Sequence, residues 1–490
     1  MEEVKSWIEI AWRYLSITLI ICYYILVLLA VIKLLLENKN PLKTHSYLLV
    51  MVLIPIVGLL IYILFGQDYR RNKMFSRKAA IDQVRIRGYV EKQLQLASQH
   101  ELIEDEQVQD KANIIKLLLS NNRSFLTKNN KIELLINGEK KFAELIKCLK
   151  VAKNHIHIEY YIFDNDEIGN EIAQILADKA RAGVSVRFIY DDVGTAHLKK
   201  SFKKLFDEAG VDYHPFMPVY IPQLSRANYR DHRKIVVIDG KTGFVGGMNV
   251  ADRYINKNGK ITWRDTHLKV EGDAVYSLQI VFMLNWYFVS KTSLDFTSQY
   301  FPAIESTGTQ CLQVAASGPD SDWASIMQAF FVAINTAKSQ VLITTPYFIP
   351  NEPILEAIKT AALGGVDVQI MFPYAGDNAI VQAASMSYMK EVLEAGVHVH
   401  LYSDGFNHSK TMVVDGIVSS VGTANMDFRS FDQNFEVNAL IYDKSIAKQL
   451  MNQFMEDKKH CVPLHLSRWQ QRPIRRKLAE SASRLLAPLL

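Results

Sequence analysis

Two stretches of the chain carry the same reactive residue types at the same spacing. HRKIVVIDGKTGFVGGMN occupies residues 232–249, and HSKTMVVDGIVSSVGTAN occupies residues 408–425. Aligned without a gap at an offset of 176 residues, they are identical at eight of eighteen positions. The identities include both histidines, both lysines, both aspartates and both closing asparagines. These are reactive or phosphate-binding types and not typical core residues.

The histidine and the lysine of each stretch are two residues apart, in HRK and HSK. If they lie on a strand, their side chains project from the same face, because successive side chains alternate. Lysine and asparagine side chains donate hydrogen bonds that suit the oxygens of a phosphodiester and of its transition state. One histidine can attack phosphorus and the other can transfer protons, since an ordinary imidazole titrates at about pH 6.5. This chemistry requires no metal ion.

Alternating β and α patterns surround both stretches. HIHIEYYIF from His155 predicts a strand, DEIGNEIAQILADKARAG predicts a helix that stops at Gly183, and VSVRFIYDD predicts a second strand. The same order recurs as VLITTPYFIP, then EPILEAIKTAALGG with Gly365, then VDVQIMFP. Gly183 and Gly365 are 182 residues apart, and Gly210 and Gly396 are 186 apart. The predicted fold is therefore α/β, with two half-domains that are related by pseudo-two-fold symmetry and carry one motif each.

Composition is that of a globular protein with room for two or three domains, since the chain has 490 residues and 49% of them are hydrophobic. Four widely spaced cysteines without a C-x-x-C pair argue against a disulfide scaffold or a structural zinc site. The net charge of +5 is concentrated in residues 69–78 and 459–490, so the intervening body is mildly acidic. An acidic body argues against a nucleic-acid partner.

Two uncharged runs, residues 15–32 and 46–65, predict a transmembrane hairpin within residues 1–67. A signal peptide is the alternative for the first run, but three glutamates precede it and no small-residue cleavage site follows. A buried core helix is the alternative for the second run. A basic cluster follows the hairpin and predicts that the body faces the cytoplasm; it consists of Arg70, Arg71, Lys73, Arg77 and Lys78.

The remaining boundaries follow from composition and repetition. We predict a basic juxtamembrane and helical linker at 68–130, one repeat at 131–310, a second at 311–462 and a basic amphipathic tail at 463–490. In the tail, apolar residues at helical spacing lie opposite Arg475, Arg476 and Lys477; they are Ile474, Leu478, Ala482, Leu485 and Leu489. Such a helix suits a membrane surface. A solvated helix, a tail docked on the body or a protein-binding segment are the alternatives.

The repeated stretches resemble the signature of the phospholipase D superfamily, H-x-K-x-x-x-x-D followed by a glycine-rich turn and asparagine. Two copies with matching downstream turns make the signal specific, because context is the test of a motif. Nearly the whole chain is similar to bacterial cardiolipin synthases, in the segments PIVGLLIYILFG, LTKNNKIELLINGEKKF, NYRDHRKIVVIDG, SGPDSDW and TPYFIPNE. That resemblance implies an integral, multi-pass protein of the bacterial cell membrane that joins two phosphatidylglycerol molecules into cardiolipin, releases glycerol and uses no cofactor.

The resemblance also implies residue roles. His232 would be the nucleophile, and His408 the general acid and then base. The phosphoryl oxygens would be held by Lys234, Lys410, Asn249 and Asn425. A downstream carboxylate in each half, Asp265 and Glu436, would bind the far nitrogen of an imidazole. The signature aspartates Asp239 and Asp415 would organise the turn after the strand.

Other interpretations remain open. The same site could hydrolyse phospholipids as a phospholipase D, could belong to a nuclease, or could be a silent lipid-binding scaffold. HIHIEY places His155, His157 and Glu159 on one strand face, which suggests either a metal site or a core wall. Asp191 and Asp192 could bind a cation or, more often for such a pair, shape a turn. The sequence is compatible with a homo-oligomer.

Two features depart from the resembled pattern, and two absences agree with it. GFNHSKT has asparagine where an apolar residue is expected before the histidine, and AASMSY has Met386 where such enzymes often have arginine. The chain has no G-x-x-x-x-G-K-[ST] loop and no D-G-x-x-A-R run. The first absence suits a nearly isoergic exchange of one phosphodiester for another. The second argues against the other type of cardiolipin synthase, which works from CDP-diacylglycerol with a metal and is expected to show that run.

Overall fold

The computed structural model describes residues 2–36, 41–54, 56–65, 92–96, 105–195, 200–219, 228–256, 262–305 and 308–487. The chain divides into two compact units. One is a helical unit within the first 69 residues, and the other is an α/β body that begins beyond it. The predicted basic cluster at residues 70–78 and much of the predicted linker lie outside the described residues.

The helical unit contains helices α1 (Glu2–Leu36), α2 (Pro41–Leu53) and α3 (Val57–Phe65). Among the described residues, one helix is long and apolar enough to cross a membrane, Ile10–Leu36, and only 11% of its most apolar window is buried. The second apolar run does not form one continuous helix but divides between α2 and α3. Pro55 lies between them in the sequence, and proline lacks the amide hydrogen that a continuous helix needs.

A small apolar cluster joins the three helices of this unit. Ala30 and Leu34 of α1, Met51 of α2 and Tyr62 of α3 are buried together. Gly58 of α3 lies so close to α2 that an added Cβ would stand 2.4 Å from the carbonyl oxygen of Val50. The unit therefore contains one helix of spanning length packed against a broken helical segment, and the predicted two-span hairpin stays a prediction.

The body contains nineteen strands in its described residues, some of only two residues. The first half provides β1 (Thr127–Ile136), β2 (His155–Tyr160), β3 (Ser185–Asp191), β4 (Asp212–Phe216), β5 (Lys234–Ile238), β6 (Thr242–Gly246), β7 (Trp263–Arg264) and β8 (Thr266–Gly272). The second half provides β9 (Gln310–Ser317), β10 (Gln340–Thr344), β11 (Phe348–Ile349), β12 (Asp367–Pro373), β13 (His398–Tyr402), β14 (Phe406–Asn407), β15 (Thr411–Val414), β16 (Val418–Gly422), β17 (Met426–Asp427), β18 (Glu436–Tyr442) and β19 (Cys461–Leu464).

Fifteen of these strands form one mixed sheet, and the order of the two halves in it is mirrored. From the centre outwards, the first half runs β1-β8-β6-β5-β2-β3-β4, and the second half runs β9-β18-β16-β15-β10-β12-β13, followed by β19. The halves join where β1 pairs antiparallel with β9. Corresponding strands therefore lie at equal steps from the junction, and each motif strand, β5 or β15, is the fourth from it.

Helices cover the faces of the sheet. The described body helices of the first half are α4 (Glu106–Gln109), α5 (Ala112–Asn122), α6 (Asn137–Val151), α7 (Glu167–Arg181), α8 (Lys200–Ala209) and α9 (Ala274–Ser290). Those of the second half are α10 (Ser325–Asn335), α11 (Glu352–Leu363), α12 (Ala379–Ser387), α13 (Met389–Glu394), α14 (Phe428–Asp432), α15 (Lys444–Lys458), α16 (Leu466–Gln470) and α17 (Ile474–Leu485). Three large apolar clusters lie between these helices and the sheet.

The predicted repeat elements are confirmed. The strand–helix–strand order appears as β2, α7 and β3 in the first half and as β10, α11 and β12 in the second. Asp166 caps α7 by accepting from the Gly169 amide, and Asn351 caps α11 by accepting from the Ile354 amide. Gly183 and Gly365 follow these helices with positive φ angles of 88° and 94°, which glycine adopts without steric cost.

The two signature aspartates lie in matching turns. Asp239 and Asp415 have φ angles of 53° and 54°, in the left-handed region. The Asp239 carboxylate accepts hydrogen bonds from the amides of residues 153, 154 and 155, and the Asp415 carboxylate accepts from those of residues 338, 339 and 340. Each aspartate thus ties its hairpin turn to the start of the neighbouring strand.

Asp415 has one partner that Asp239 lacks. Lys111 directly precedes helix α5. Its buried ammonium group lies 2.6 Å from Asp415 Oδ2 and also donates to the carbonyl of Thr336. Burial alone would raise the pKa of Asp415, but Lys111 and the backbone amides hold it at about 2. The residue just before α5 is thereby fastened to the signature turn of the second half.

The tail helix α17 docks on the body by its polar side. Glu480 is buried and lies 2.8 Å from Arg472 and 3.1 Å from Arg476, while Arg484 pairs with Glu391 of α13. The apolar residues of the opposite side stay exposed, with Ile474, Leu478 and Leu485 at 67%, 63% and 83%. The tail helix therefore docks on the body, which was one of the alternatives considered, and its apolar face stays exposed.

We expect Asp415→Ala to destabilise the body more than Asp239→Ala. The first change leaves a buried ammonium without its carboxylate, which costs about 3–5 kcal/mol, whereas the second removes only turn hydrogen bonds, at about 1–3 kcal/mol. Thermal unfolding of the two variants in detergent measures the difference. Lys111→Met combined with Asp415→Ala should recover part of the loss, and equal melting temperatures for the two single variants would contradict the role of Lys111.

Candidate active site

One cavity of about 500 Å³ is lined by the motif histidines and asparagines of both halves. His232 and Asn249 line it from the first half, and His408 and Asn425 line it from the second. The histidines precede strands β5 and β15 by two and three residues, so each imidazole lies at the end of its motif strand and not within it. The structure thus brings the motif histidines and asparagines of the two halves to one cavity, whereas Lys234 and Lys410 are buried and are not among its lining residues.

His232 is held by the second half of the body. Its Nδ1 atom lies 3.0 Å from both carboxylate oxygens of Glu436, and its backbone amide donates to the carbonyl of Phe435 at 2.9 Å. Glu436 is buried and also accepts from the hydroxyl of Thr423 and from the side-chain NH₂ group of Asn434. Since Nδ1 is bound, Nε2 is the nitrogen that remains for a substrate.

His408 is held in the same way by the first half. Its Nδ1 atom lies 2.7 Å from Oδ2 of the buried Asp265, and its backbone amide donates to the carbonyl of Arg264 at 2.7 Å. Phe435 directly precedes Glu436 just as Arg264 directly precedes Asp265. Each half therefore supplies both the backbone acceptor and the carboxylate that orient the histidine of the other half.

The motif lysines lie beside the imidazoles. Lys234 Nζ donates to the carbonyl oxygen of His232 at 2.6 Å, and Lys410 Nζ donates to that of His408 at 2.6 Å. Lys410 Nζ is also 3.0 Å from Nδ1 of His408. Both lysines are buried, so their ammonium groups stand in a medium of low dielectric where they attract an anion strongly.

The motif asparagines are fixed by neighbouring polar groups. Asn249 accepts from the amide of Ile162 and donates to the hydroxyl of Tyr254 at 3.0 Å. Asn425 donates to Asp427 at 2.9 Å, and its own amide donates to Ser430. The side-chain oxygen of Asn425 is buried and makes no hydrogen bond among the described residues. Both side chains are therefore oriented before any substrate binds.

Burial shifts the histidines towards the neutral form. Burial lowers the pKa of His232 to about 4, against the raising effect of Glu436. It also lowers the pKa of His408 well below the ordinary value, and the cations Lys410 and Lys234 act in the same direction. Both imidazoles are therefore uncharged near pH 7, as a nitrogen nucleophile must be.

The lysines and carboxylates are shifted as well. Burial lowers the pKa of Lys234 to about 7 and that of Lys410 to about 8. Burial raises the pKa of Asp265 to about 6 against the opposing effect of Lys410. Burial alone would raise the pKa of Glu436, but His232 and Lys234 hold it below its ordinary value. An incoming phosphodiester anion would stabilise the charged form of both lysines.

The residue before each histidine is polar for a local reason. Asp231 accepts from the amide of Arg233 at 3.3 Å, and Asn407 accepts from the amide of Ser409 at 3.1 Å. Both side chains thus turn the chain across the histidine, which explains why asparagine serves at the position where an apolar residue was expected. Asp231 is buried, and its pKa is raised well above the ordinary value by burial and by Glu159.

Asp191 takes the turn-forming role. Its carboxylate accepts from the amides of Val193 and Gly194, and also from the amide of Asp231, at 2.9 Å. It lies 3.4 Å from the buried guanidinium of Arg230. Asp191 therefore anchors the segment that leads into His232, a role that the sequence pattern does not show.

Several cavity residues were not predicted. Tyr161 lies edge-on to His232 with ring centroids 5.1 Å apart, and Trp263 lies 5.5 Å from His408. Arg253 and Arg429 line the cavity, as do Tyr347, Asp377 and Asn378. Trp263 belongs to the two-residue strand β7 and Arg429 to the short helix α14, whereas Asp377 and Asn378 come from a loop. None of these elements is long enough to show a periodic pattern that signals a site. Tyr161 and Tyr347 lie in the segments predicted as strands, at equivalent positions of the two repeats, and that equivalence is a signal in the sequence.

Other singled-out residues lie elsewhere. His155 and His157 are buried beneath α9, where both contact the side chain of Gln279 and His157 stacks on Phe282. Glu159 accepts from Asn285. The described residues contain no cluster of three or more candidate metal ligands. Met386 is buried in a large apolar cluster and does not line the cavity.

Comparison with known proteins agrees with this arrangement. A family model described as "Cardiolipin synthase, PLD-like domain" matches residues 145–272 and again 330–458, so it matches once in each half. A model described as "Phospholipase_D-nuclease N-terminal" matches residues 25–67. The repeated match coincides with the two sets of strands that carry the histidines.

Proteins of known name resemble the chain over almost its full length. A cardiolipin synthase of Listeria innocua is 41% identical over 480 residues, which covers 97% of this chain and 99% of that protein. Cardiolipin synthase 2 of Staphylococcus epidermidis is also 41% identical, over 97% of this chain and 98% of its own.

A solved structure has the same fold. Phosphatidylserine synthase of Haemophilus influenzae superposes with a TM-score of 0.59 and 16% sequence identity, covering 77% of this chain and 100% of its own. At that identity the likeness concerns the fold alone. The repeated family model and the full-length relatives carry the assignment, and the chain belongs to the cardiolipin synthase family of phospholipase D-like proteins.

Proposed function

We propose that the chain makes cardiolipin by moving a phosphatidyl group from one phosphatidylglycerol to another through a phosphatidyl-histidine on His232. His408 serves as the general acid and then as the general base. The phosphoryl oxygens are held by Lys234, Lys410, Asn249 and Asn425. One observation carries this proposal: each imidazole has its Nδ1 bound by a carboxylate of the opposite half, so both Nε2 atoms are available to one phosphodiester.

In the first step Nε2 of neutral His232 attacks phosphorus. A nitrogen–phosphorus bond forms, the phosphorus–oxygen bond to glycerol breaks, and protonated His408 gives its proton to the departing oxygen. Burial and the neighbouring cations Lys410 and Lys234 oppose protonation of His408. A bound phosphodiester adds a negative charge beside them and favours the imidazolium that this step needs.

In the second step a glycerol hydroxyl of another phosphatidylglycerol attacks the phosphatidyl-histidine. An oxygen–phosphorus bond forms, the nitrogen–phosphorus bond breaks, and the hydroxyl proton passes to His408. His232 returns to its neutral form. The two lysines stabilise the charge on the equatorial oxygens in both steps, since buried donors act without solvent reorganisation. No step uses a metal ion.

The finer features of architecture and location are proposals on the same basis. The mirrored strand order supports a pseudo-two-fold relation between the halves. Helix α1 and the run at 46–65 would form two membrane passes, with the body on the cytoplasmic side of a bacterial membrane, as an integral membrane protein. The exposed apolar side of α17 would then rest on the lipid surface.

The reaction is tested by mass spectrometry of lipids after the purified protein is mixed with phosphatidylglycerol vesicles and EDTA. We expect cardiolipin and glycerol in equal amounts, and their loss by at least about 10⁴-fold in His232→Ala and His408→Ala. Phosphatidic acid as the main product would instead identify a hydrolase, and unimpaired turnover by His232→Ala would exclude the assigned nucleophile.

The same variants separate the two histidine roles when the substrate is a phosphatidyl ester of p-nitrophenol. Its leaving group departs without a proton, so His408→Ala should still form the phosphatidyl adduct on His232 and should accumulate it. His232→Ala should form none. An adduct on His408 in the second variant would reverse the assignment.

Removing the charge of either orienting carboxylate should impair the chemical step. We expect Glu436→Gln and Asp265→Asn each to lower kcat by about 10²–10⁴-fold with little change in the melting temperature, because the isosteric amide keeps the packing but disfavours the imidazolium and the working tautomer. The exposed Asp404→Asn is the matched control and should keep full activity. A normal kcat in both amide variants would remove the carboxylates from the mechanism.

The pH dependence of kcat/KM should have an alkaline limb set by the lysines. Lys234 and Lys410, whose pKa values lie at about 7 and about 8, lose their charge as the pH rises through this range. Binding of the anionic substrate should weaken accordingly, so kcat/KM should fall from about pH 7 upwards. Arginine keeps its charge over this range, so Lys234→Arg and Lys410→Arg should move the alkaline limb to higher pH. If the limb stays in place in both variants, another group sets it.

A further inference from the structure

The lining of the catalytic cavity contains an exposed carboxylate, Asp377, that the proposed mechanism does not use. Asp377 is bound by the hydroxyl of Tyr347. The ring of Tyr347 lies 6.5 Å from that of Phe406, and the ring of Phe406 lies 5.9 Å from that of His408, so Asp377 belongs to the His408 side of the cavity. A symmetric exchange between two identical anionic lipids does not by itself require this carboxylate.

Asp377 is part of a small polar cluster in the loop between β12 and α12. The hydroxyl of Tyr347 donates to Asp377 Oδ2 at 2.7 Å, and both residues line the cavity with Asn378. The side-chain oxygen of Asn378 accepts from the amides of Ile380 and Val381, which caps α12 and fixes the loop. That bonding leaves the NH₂ group of Asn378 as the end that can donate to a ligand.

The counterpart of this cluster in the first half is different. Tyr161 follows β2 as Tyr347 follows β10, but Tyr161 packs against His232 and lies under the ammonium of Lys234, with 5.5 Å from Nζ to its ring. Tyr347 instead presents its hydroxyl to an exposed carboxylate. The same tyrosine position therefore supports the imidazole in one half and a hydrogen-bonding group in the other.

The chemistry of the cluster fits a neutral polyol. A carboxylate has about four acceptor positions, and Tyr347 occupies one, so Asp377 can accept from two neighbouring hydroxyls while the amide of Asn378 donates to one of them. An anionic group at the same place would be repelled by Asp377. In the proposed mechanism the leaving oxygen and the attacking oxygen both belong to glycerol. His408 gives a proton to the first and takes a proton from the second.

We propose that Asp377, with Tyr347 and Asn378, forms a polyol subsite beside His408 that binds the glycerol of the departing or incoming headgroup. This inference rests on the proposed function of the site. In the transfer step the subsite orients one hydroxyl towards phosphorus, the oxygen–phosphorus bond forms as the bond to His232 breaks, and the hydroxyl proton goes to His408. Alcohols without a second hydroxyl lack the additional hydrogen bonds and are poorer acceptors.

Soluble alcohols test the subsite directly. The full-length enzyme in phosphatidylglycerol vesicles is given labelled glycerol or labelled propan-1-ol, and transfer of the phosphatidyl group to each alcohol is measured. We expect the wild-type enzyme to prefer glycerol by about 10- to 100-fold, since lost hydrogen bonds in a polar site reduce kcat/KM strongly. In Asp377→Asn and Asp377→Ala this preference should fall by about 5- to 20-fold, mainly through glycerol.

Controls separate recognition from general damage. Both alcohols react with the same phosphatidyl-enzyme, so any slower cleavage of the donor in Asp377→Asn lowers the two transfer rates equally and leaves their ratio to report on the acceptor alone. Tyr347→Phe should reduce the preference in the same direction, whereas Tyr161→Phe, its counterpart, should leave the ratio unchanged even if it slows both reactions. Asp404→Asn should change neither rate.

An unchanged ratio in Asp377→Asn and Asp377→Ala would overturn the polyol subsite. Transfer to ethanolamine in preference to glycerol by the wild-type enzyme would also overturn it, because Asp377 would then read an ammonium group. A wild-type enzyme that forms no cardiolipin contradicts the proposed function instead, and the alcohol ratios remain measurable because a phosphatidyl-enzyme can transfer to added alcohols in either case.

Discussion

The exchange of carboxylates between the halves is the interaction on which the site depends. Glu436 reaches across to His232 and Asp265 reaches across to His408, and all four groups are buried or nearly so. A buried carboxylate without a partner carries a large desolvation cost, and so does a buried imidazolium. Joining the halves removes these groups from water, and each carboxylate offsets that cost by binding and orienting the histidine of the other half.

The backbone explains how this exchange is held in place. Pairing of β1 with β9 makes one sheet of both halves, and the segments before the two histidines hydrogen-bond to the segments before the two carboxylates. The signature aspartates then fix the hairpin turns that follow each motif strand. Geometry at the cavity is thus set by main-chain pairing, and the charged side chains need little conformational freedom to meet.

Sequence reasoning predicted the repeated α/β units because their periodicity is strong and their caps follow local rules, as at Asp166 and Gly183. It also predicted which residue types would converge. It did not predict that the carboxylate of one half serves the histidine of the other, because a contact between residues 204 positions apart leaves no local pattern.

Two further features lay beyond sequence reasoning for the same physical reason, and a third was missed although its cause is local. Asp191 supports the segment before His232 through tertiary hydrogen bonds, and Asp377 reaches the cavity from a loop without periodicity. The break between α2 and α3 had a visible cause in Pro55, but length and hydropathy alone favoured one continuous span. Local rules therefore gave the elements, whereas tertiary contacts decided which residues share the site.

The two orienting carboxylates differ by one methylene group, and this small inequality has a consequence for the origin of the chain. If two copies of the first half paired in the same manner, each His232 would face the shorter side chain of Asp265. If two copies of the second half did so, each His408 would face the longer side chain of Glu436. Each self-pairing would misplace its imidazole by roughly one carbon–carbon bond. If the chain arose by fusion of two equal copies, the copies have since diverged until neither can regenerate the centre with itself, and a working centre needs one half of each kind.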